Sequence, residues 1–100
     1  MKNISLIIPA YKPDEKLLST ILDAKNAGFE DILIIDDGSG KEFEEVFSAV
    51  KEVSGCTLLR HNVNKGKGAA LRTAFTYFLE LELMFIFTDQ VIFLQSLLNI

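Results

Sequence analysis

The feature that most constrains this chain is a series of four short apolar runs separated by helix-length intervals. Residues 4–8 (ISLII), 32–35 (ILII), 57–59 (TLL) and 83–87 (LMFIF) have strand length and strand composition. They are almost continuously apolar rather than alternating, so both faces of the sheet they form must be covered. The intervals supply the cover. After Pro13 and Asp14, the residues Leu17, Leu18, Ile21, Leu22 and Ala24 recur near helical spacing, and Gly28 stands where a helix would stop. Ser39 and Glu42 have the spacing of a capping box, ahead of an apolar stripe of Phe43, Val46, Phe47 and Val50. Gly66 and Gly68 precede a third stripe of Leu71, Ala74, Phe75 and Phe78. Strands alternating with helices imply βαβ units with right-handed crossovers. The pattern predicts a Rossmann-like three-layer α/β/α fold with a mostly parallel sheet in the order 3-2-1-4. Its helices should start near Pro13, Ser39 and Gly68.

Size and charge narrow the function classes. One hundred residues, 49% of them hydrophobic, suit a single folded domain with one real core, expected to be truncated relative to a complete enzyme. A net charge of −4 argues against a general nucleic-acid or membrane-surface binder. The single cysteine, Cys56, excludes an internal disulfide and fits a cytoplasmic location. No run approaches the ~18 apolar residues of a transmembrane span, and no signal-peptide layout precedes the first strand.

In a sheet of this kind ligands bind outside the carboxyl ends of the strands. Pro9, Ala10 and Tyr11 follow the first strand, Asp36 and Asp37 the second, and Asp89 the fourth. Adjacent carboxylates at the end of a buried strand are costly unless something uses them. Two uses are open: accepting hydrogen bonds from a base or ribose, or capping the following turn while the second carboxylate stays solvated. The other informative stretch is NVNKGKGAALRTAF, residues 62–75. Its glycines let backbone N–H groups approach a ligand, and the helix start beyond them favours anions. Lys65, Lys67 and Arg72, with Arg60 and His61 nearby, add positive charge to an acidic chain and suggest a diphosphate site. The spacing is not that of a P-loop or of a dinucleotide fingerprint. No cysteine or second histidine accompanies His61, which reads as a structural or surface residue rather than a metal ligand.

Taken together, SLIIPAYKPDEKLLSTI, ILIIDDGSG and NKGKGAALRTAF, in that order and spacing, resemble the N-terminal half of a family-two glycosyltransferase of the GT-A fold. Bacterial members and dolichyl-phosphate sugar synthases are the most similar. The resemblance covers residues 4–80 of a single domain spanning 1–100. It implies a nucleotide-diphospho-sugar donor, with Pro9, Ala10 and Tyr11 lining the nucleoside pocket. Asp37 would bind the base, Asp36 would brace that loop or touch the ribose, and Lys67 would lie near the diphosphate. Lys12 departs from the family, which usually has asparagine there.

A larger departure follows the fourth strand. The family's Asp-x-Asp motif, whose carboxylates hold Mg²⁺ or Mn²⁺ on the donor, is reduced here to Asp89 between Thr88 and Gln90. The family's acceptor-binding half has no counterpart in the sequence. The resemblance therefore implies glycosyl transfer in a parent protein and no measurable transfer by these 100 residues. The alternative is a non-catalytic remnant that binds a nucleotide or self-associates. The apolar tail, residues 90–100, is expected to bury itself against an uncovered sheet edge, within the chain or across a homodimer.

Overall fold

The computed structural model describes residues 4–79, 83–87 and 92–96. Strands β1 (Ile4–Ala10), β2 (Asp31–Asp37) and β3 (Cys56–His61) alternate with helices α1 (Lys16–Asn26), α2 (Glu44–Lys51) and α3 (Lys67–Leu79). Strands β4 (Leu83–Phe87) and β5 (Ile92–Ser96) follow. β1 pairs with β2 and β2 with β3, both parallel, as the βαβ pattern requires. The chain is an α/β protein with three parallel strands in one sheet, the architecture expected of a GT-A half-domain.

The sheet order is β3-β2-β1-β5-β4. The expected succession 3-2-1 is present, but the place beside β1 is held by β5, antiparallel to both β1 and β4. Strands β4 and β5 are thus an antiparallel pair at the edge of β1. The middle of the apolar tail enters the sheet of its own chain as a strand, with Ile4 opposite Gln95 and Ile7 opposite Ile92. A short β-prone segment next in sequence to β4 reaches that edge at little loop-closure cost. Residues 90, 91 and 97–100 of the tail lie outside the described part.

Side chains of a strand alternate between faces, and here the alternation sorts the core into two halves. Leu6, Ile8 and Ala10 of β1 join Ile32 and Ile34 of β2 beneath α1 and α2, whose Leu17, Ile21, Phe47 and Val50 complete the cluster. Ile7, Leu33 and Ile35 face the opposite side and meet Ala70, Ala74 and Phe78 of α3. The helices cover both faces, as continuously apolar strands demand. On α3 the buried stripe runs through Ala70 as well as the expected Ala74 and Phe78, while Leu71 and Phe75 flank it.

Helix ends differ from the sequence pattern in instructive ways. Helix α1 starts at Lys16, whose amide donates to the Asp14 carboxylate, so Asp14 and not Pro13 sets its first turn. Gly28 stops it as expected: with φ +104° its amide donates to Lys25, and the Phe29 amide to Ala24. That pair of bonds is a Schellman motif. The anticipated capping box does not form. A 3-10 turn at Lys41–Phe43 precedes α2, with no side-chain cap bond. Ser39 is used elsewhere: its Oγ accepts from the Lys12 amide at 2.9 Å, tying the loop after β1 to the turn after β2. Lys12 adopts φ +49°, a left-handed conformation that asparagine tolerates better than lysine. The resemblance's usual asparagine at this position has a backbone reason.

Gly38 fixes how closely two loops approach. Its φ is +71°, and a Cβ built on it would overlap the backbone of Val63 and Asn64. Gly66 also has positive φ (+94°), yet a Cβ there meets nothing within 4 Å. Gly38→Ala should therefore destabilise the chain by roughly 2–4 kcal/mol, combining backbone strain with overpacking. Gly66→Ala should cost only the backbone share, about 1–2 kcal/mol. Urea denaturation of the two variants checks this; equal losses would mean that the loops are not in contact through Gly38.

Candidate functional site

The two adjacent aspartates at the end of β2 point to opposite faces, and each organises a different loop. Asp36 follows Ile32 and Ile34 onto the α2 side. Its Oδ1 accepts from the Ser39 amide at 3.0 Å, and its Oδ2 lies 3.3 Å from Nε of Arg60. The Arg60 guanidinium also forks onto Glu44 at 2.9 and 3.1 Å and lies over the Phe47 ring. Asp36 is thus a bracing carboxylate for the turn after β2.

Asp37 continues the other face, and the residue is almost entirely buried, 3% exposed. Oδ1 accepts from Nδ1 of His61 at 2.7 Å and from the Lys65 amide at 2.9 Å. Oδ2 accepts from Nδ2 of Asn64 at 3.0 Å and from the Gly66 amide at 2.8 Å. A carboxylate offers about four lone-pair sites, and four donors occupy them here. Asn64 Nδ2 also donates to the Asp37 backbone carbonyl at 3.1 Å. Since an ionised carboxylate only accepts, Nδ1 of His61 carries the proton. Nε2 of His61 lies 2.7 Å from the Thr73 hydroxyl, which continues the chain of bonds into α3. No buried side-chain nitrogen or oxygen among the described residues lacks a partner. Burial pushes the pKa of Asp37 upward, but the His61 bond, the Lys65 and Gly66 amides and the charge of His61 together outweigh it. Its pKa falls below the ordinary 3.8.

The loop that Asp37 holds forms one wall of a cleft of about 330 Å³. Pro9, Ala10 and Tyr11 form the wall from β1; Asp37, Asn64, Gly66, Lys67 and Ala70 complete it. Of the six residues implied to bind the nucleotide-diphospho-sugar, Pro9, Ala10, Tyr11, Asp37 and Lys67 come together here. Asp36 does not line the cleft. Tyr11 is about half exposed at its mouth, with the Lys12 ammonium 5.4 Å from its ring centroid. Lys67 is the first residue of α3, where helix amides and ammonium together favour an anion. Arg60 and His61, read from the sequence as part of a basic surround, are turned away, Arg60 to Asp36 and Glu44 and His61 into the buried cluster. Of the structural and surface roles that the sequence left open for His61, its bonds to Asp37 and Thr73 select the structural one.

Sequence reasoning passed over Asn64, Gly66 as a donor, and Ala70. Their signal was present in the run NKGKGAA, but the side chain that uses it is 27 residues upstream. Cys56 is no candidate nucleophile: burial pushes its thiol pKa up, with partial relief from Lys25, and it is not among the residues lining the cleft. Asp89, the implied metal ligand, lies outside the described residues. Among the described residues no three His, Cys, Asp or Glu side chains converge as a metal site. No helix among them is long and apolar enough to cross a membrane.

Comparison with known proteins follows the same lines. The family model for glycosyl transferase family 2 matches residues 5–89. An uncharacterized protein of Methanocaldococcus jannaschii is 34% identical over 70 residues, covering 70% of this chain and 27% of that protein. A dolichyl-phosphate β-glucosyltransferase of Trichomonas vaginalis is 38% identical over 81 residues, covering 69% of this chain and 25% of that protein. The chain spans about a quarter of the length of these curated relatives. No solved structure matches it significantly.

The lowered pKa of Asp37 sets a pH dependence. The folded chain binds this proton less readily than the unfolded chain, so the carboxylate's contribution is complete above the unfolded value near 3.8 and lost as pH falls through the lower folded value. Thermal melts between pH 2 and 7 should show stability falling below about pH 4. Asp37→Asn, which cannot accept from all four donors, should be less stable at pH 7 and show a shallower acid limb. An unchanged acid limb in that variant would contradict the assignment.

Proposed function

Because the chain belongs to glycosyl transferase family 2, we propose that its cleft holds the nucleoside diphosphate part of a nucleotide-diphospho-sugar donor, for glycosyl transfer in the full-length protein. The observation that carries this reading is the convergence of Pro9, Ala10, Tyr11, Asp37 and Lys67 on one cleft at the carboxyl ends of β1 and β2. These residues come from three separate sequence motifs.

In this reading Pro9, Ala10 and Tyr11 flank the nucleoside, and the half-exposed Tyr11 ring offers a stacking surface at the mouth. Asp37 marks the base end, and Asp36 keeps the turn after β2 in place from the other face. Lys67 and the first amides of α3 receive the diphosphate. The divalent metal expected for the family would neutralise the diphosphate as the nucleotide departs. Its implied ligand, Asp89, follows β4. A cytoplasmic setting suits both the single cysteine and a nucleotide-linked donor. The dolichyl-phosphate β-glucosyltransferase relative favours a hexose as the transferred group.

Titration calorimetry with uridine and guanosine diphosphates and the bare nucleosides tests the reading. Lys67→Ala should weaken the diphosphate by roughly tenfold, about 1.4 kcal/mol, and leave the nucleoside unchanged. Equal losses for nucleoside and diphosphate would remove Lys67 from the phosphate end. A chain that binds no nucleotide would contradict the proposal as a whole.

A further inference from the structure

We infer that binding of an anionic diphosphate in the cleft draws a proton onto the protein, and that His61 holds it at Nε2. The inference rests on the nucleotide reading of the cleft and adds a proton to the bound state. The charged side chains lining the cleft are one carboxylate and one ammonium, Asp37 and Lys67. A volume of about 330 Å³ is roughly 7 Å on a side, shorter than the screening length of about 8–10 Å at ordinary salt. A diphosphate received by Lys67 therefore feels the Asp37 charge as well. Asp37 does not relieve this repulsion by taking a proton. His61, Asn64, Lys65 and Gly66 fill its lone-pair sites, and its pKa is already lowered.

His61 is built to relieve it. Its Nδ1 donates to Asp37 at 2.7 Å, so a charge on the ring lies one side chain behind the cleft wall. Its Nε2 faces the Thr73 hydroxyl at 2.7 Å. A carbonyl at that place would fix a proton on Nε2, and an amide N–H would exclude one. A hydroxyl both donates and accepts, so it permits either state. With the ring neutral, Thr73 donates to Nε2; with the ring charged, the hydroxyl turns and accepts. The second proton thus enters without costing the ring a hydrogen bond.

The charges on the elements around the ring decide when it enters. Asp37 of β2 favours the imidazolium by direct contact. Lys65 of the following loop and Lys67 and Arg72 of α3 oppose it. Arg60, the neighbour of His61 on β3, is held on the other face by Asp36 and Glu44. A bound diphosphate offsets the three cations and leaves the pull of Asp37 dominant. Histidine is the side chain that ordinarily changes charge between about pH 5 and 8, and His61 is the single histidine of the chain.

The test uses uridine diphosphate glucose and guanosine diphosphate glucose with the 100-residue chain. Their diphosphate is esterified at both ends and lacks the second ionisation, near pH 6, of a phosphate monoester, so a proton taken up belongs to the protein. Calorimetry at about pH 6.5 in buffers of different ionisation enthalpy should show the tighter binder taking up a fraction of one proton. Its affinity should fall severalfold between about pH 6 and 8, because binding that takes up a proton weakens as pH rises. The nitrogen resonances of the one imidazole should move towards the imidazolium positions on saturation. In His61→Asn the binding heat should no longer depend on the buffer. Binding without proton uptake by the unaltered chain, or imidazole resonances unmoved at saturation, would overturn the inference with no variant needed. So would an uptake that persists in His61→Asn. If neither sugar nucleotide binds, the nucleotide reading itself is overturned, and this inference with it.

Discussion

The buried carboxylate of Asp37 is the constraint on which the site depends. The segment between β3 and α3, residues 62–66, has no sheet or helix partner of its own, and its Lys65 and Gly66 amides need acceptors. Asp37 supplies them from the end of β2 and adds the side chains of His61 and Asn64 to the same cluster. Charge-assisted bonds of this kind are about twice as strong as neutral ones. The cleft is the space left between this clamped loop and the end of β1. Gly38 permits the clamp, because any side chain there would push Val63 and Asn64 away.

Strand geometry explains why two aspartates are needed side by side. A period of two sends Asp36 to the α2 face and Asp37 to the α3 face. Each then fixes the loop on its own side: Asp36 the turn at Ser39, and Asp37 the run at 61–66. Ser39 links the first of these to the loop after β1 through the Lys12 amide. The three loops at the carboxyl edge of the sheet are thus joined into one framework by two neighbouring residues. In this family-2 glycosyltransferase domain, the framework ties together the loops at the carboxyl edge of the parallel strands.

Much of this was legible in the sequence. Continuous apolar runs gave the strands, and helical spacing gave the core stripes through Leu17, Ile21, Phe47, Val50, Ala74 and Phe78. Pro9, Ala10, Tyr11, Asp37 and Lys67 were recognisable because they sit at the carboxyl ends of strands or at the start of a helix. What stayed hidden depends on long-range pairing. Ser39 and Glu42 have capping-box spacing, but Ser39 is drawn instead to Lys12, 27 residues away. Arg60 resembled a phosphate ligand until its face of β3 placed it against Asp36 and Glu44. The position of β5 depends on an unpaired edge of β1, which no local pattern announces. Asn64 gained its orientation from the carboxylate and carbonyl of Asp37, 27 residues away.

Amide hydrogen exchange at Lys65 and Gly66 tests the clamp most directly. Both residues lie in an irregular loop, where amides ordinarily exchange quickly. If Asp37 holds them as described, their amides are protected at neutral pH. In Asp37→Ala that protection is lost, while the amides of β1 and β2 between Leu6 and Ile35 keep theirs. Exchange of Lys65 and Gly66 at unprotected rates in the unaltered chain, or protection that survives Asp37→Ala, would contradict the account.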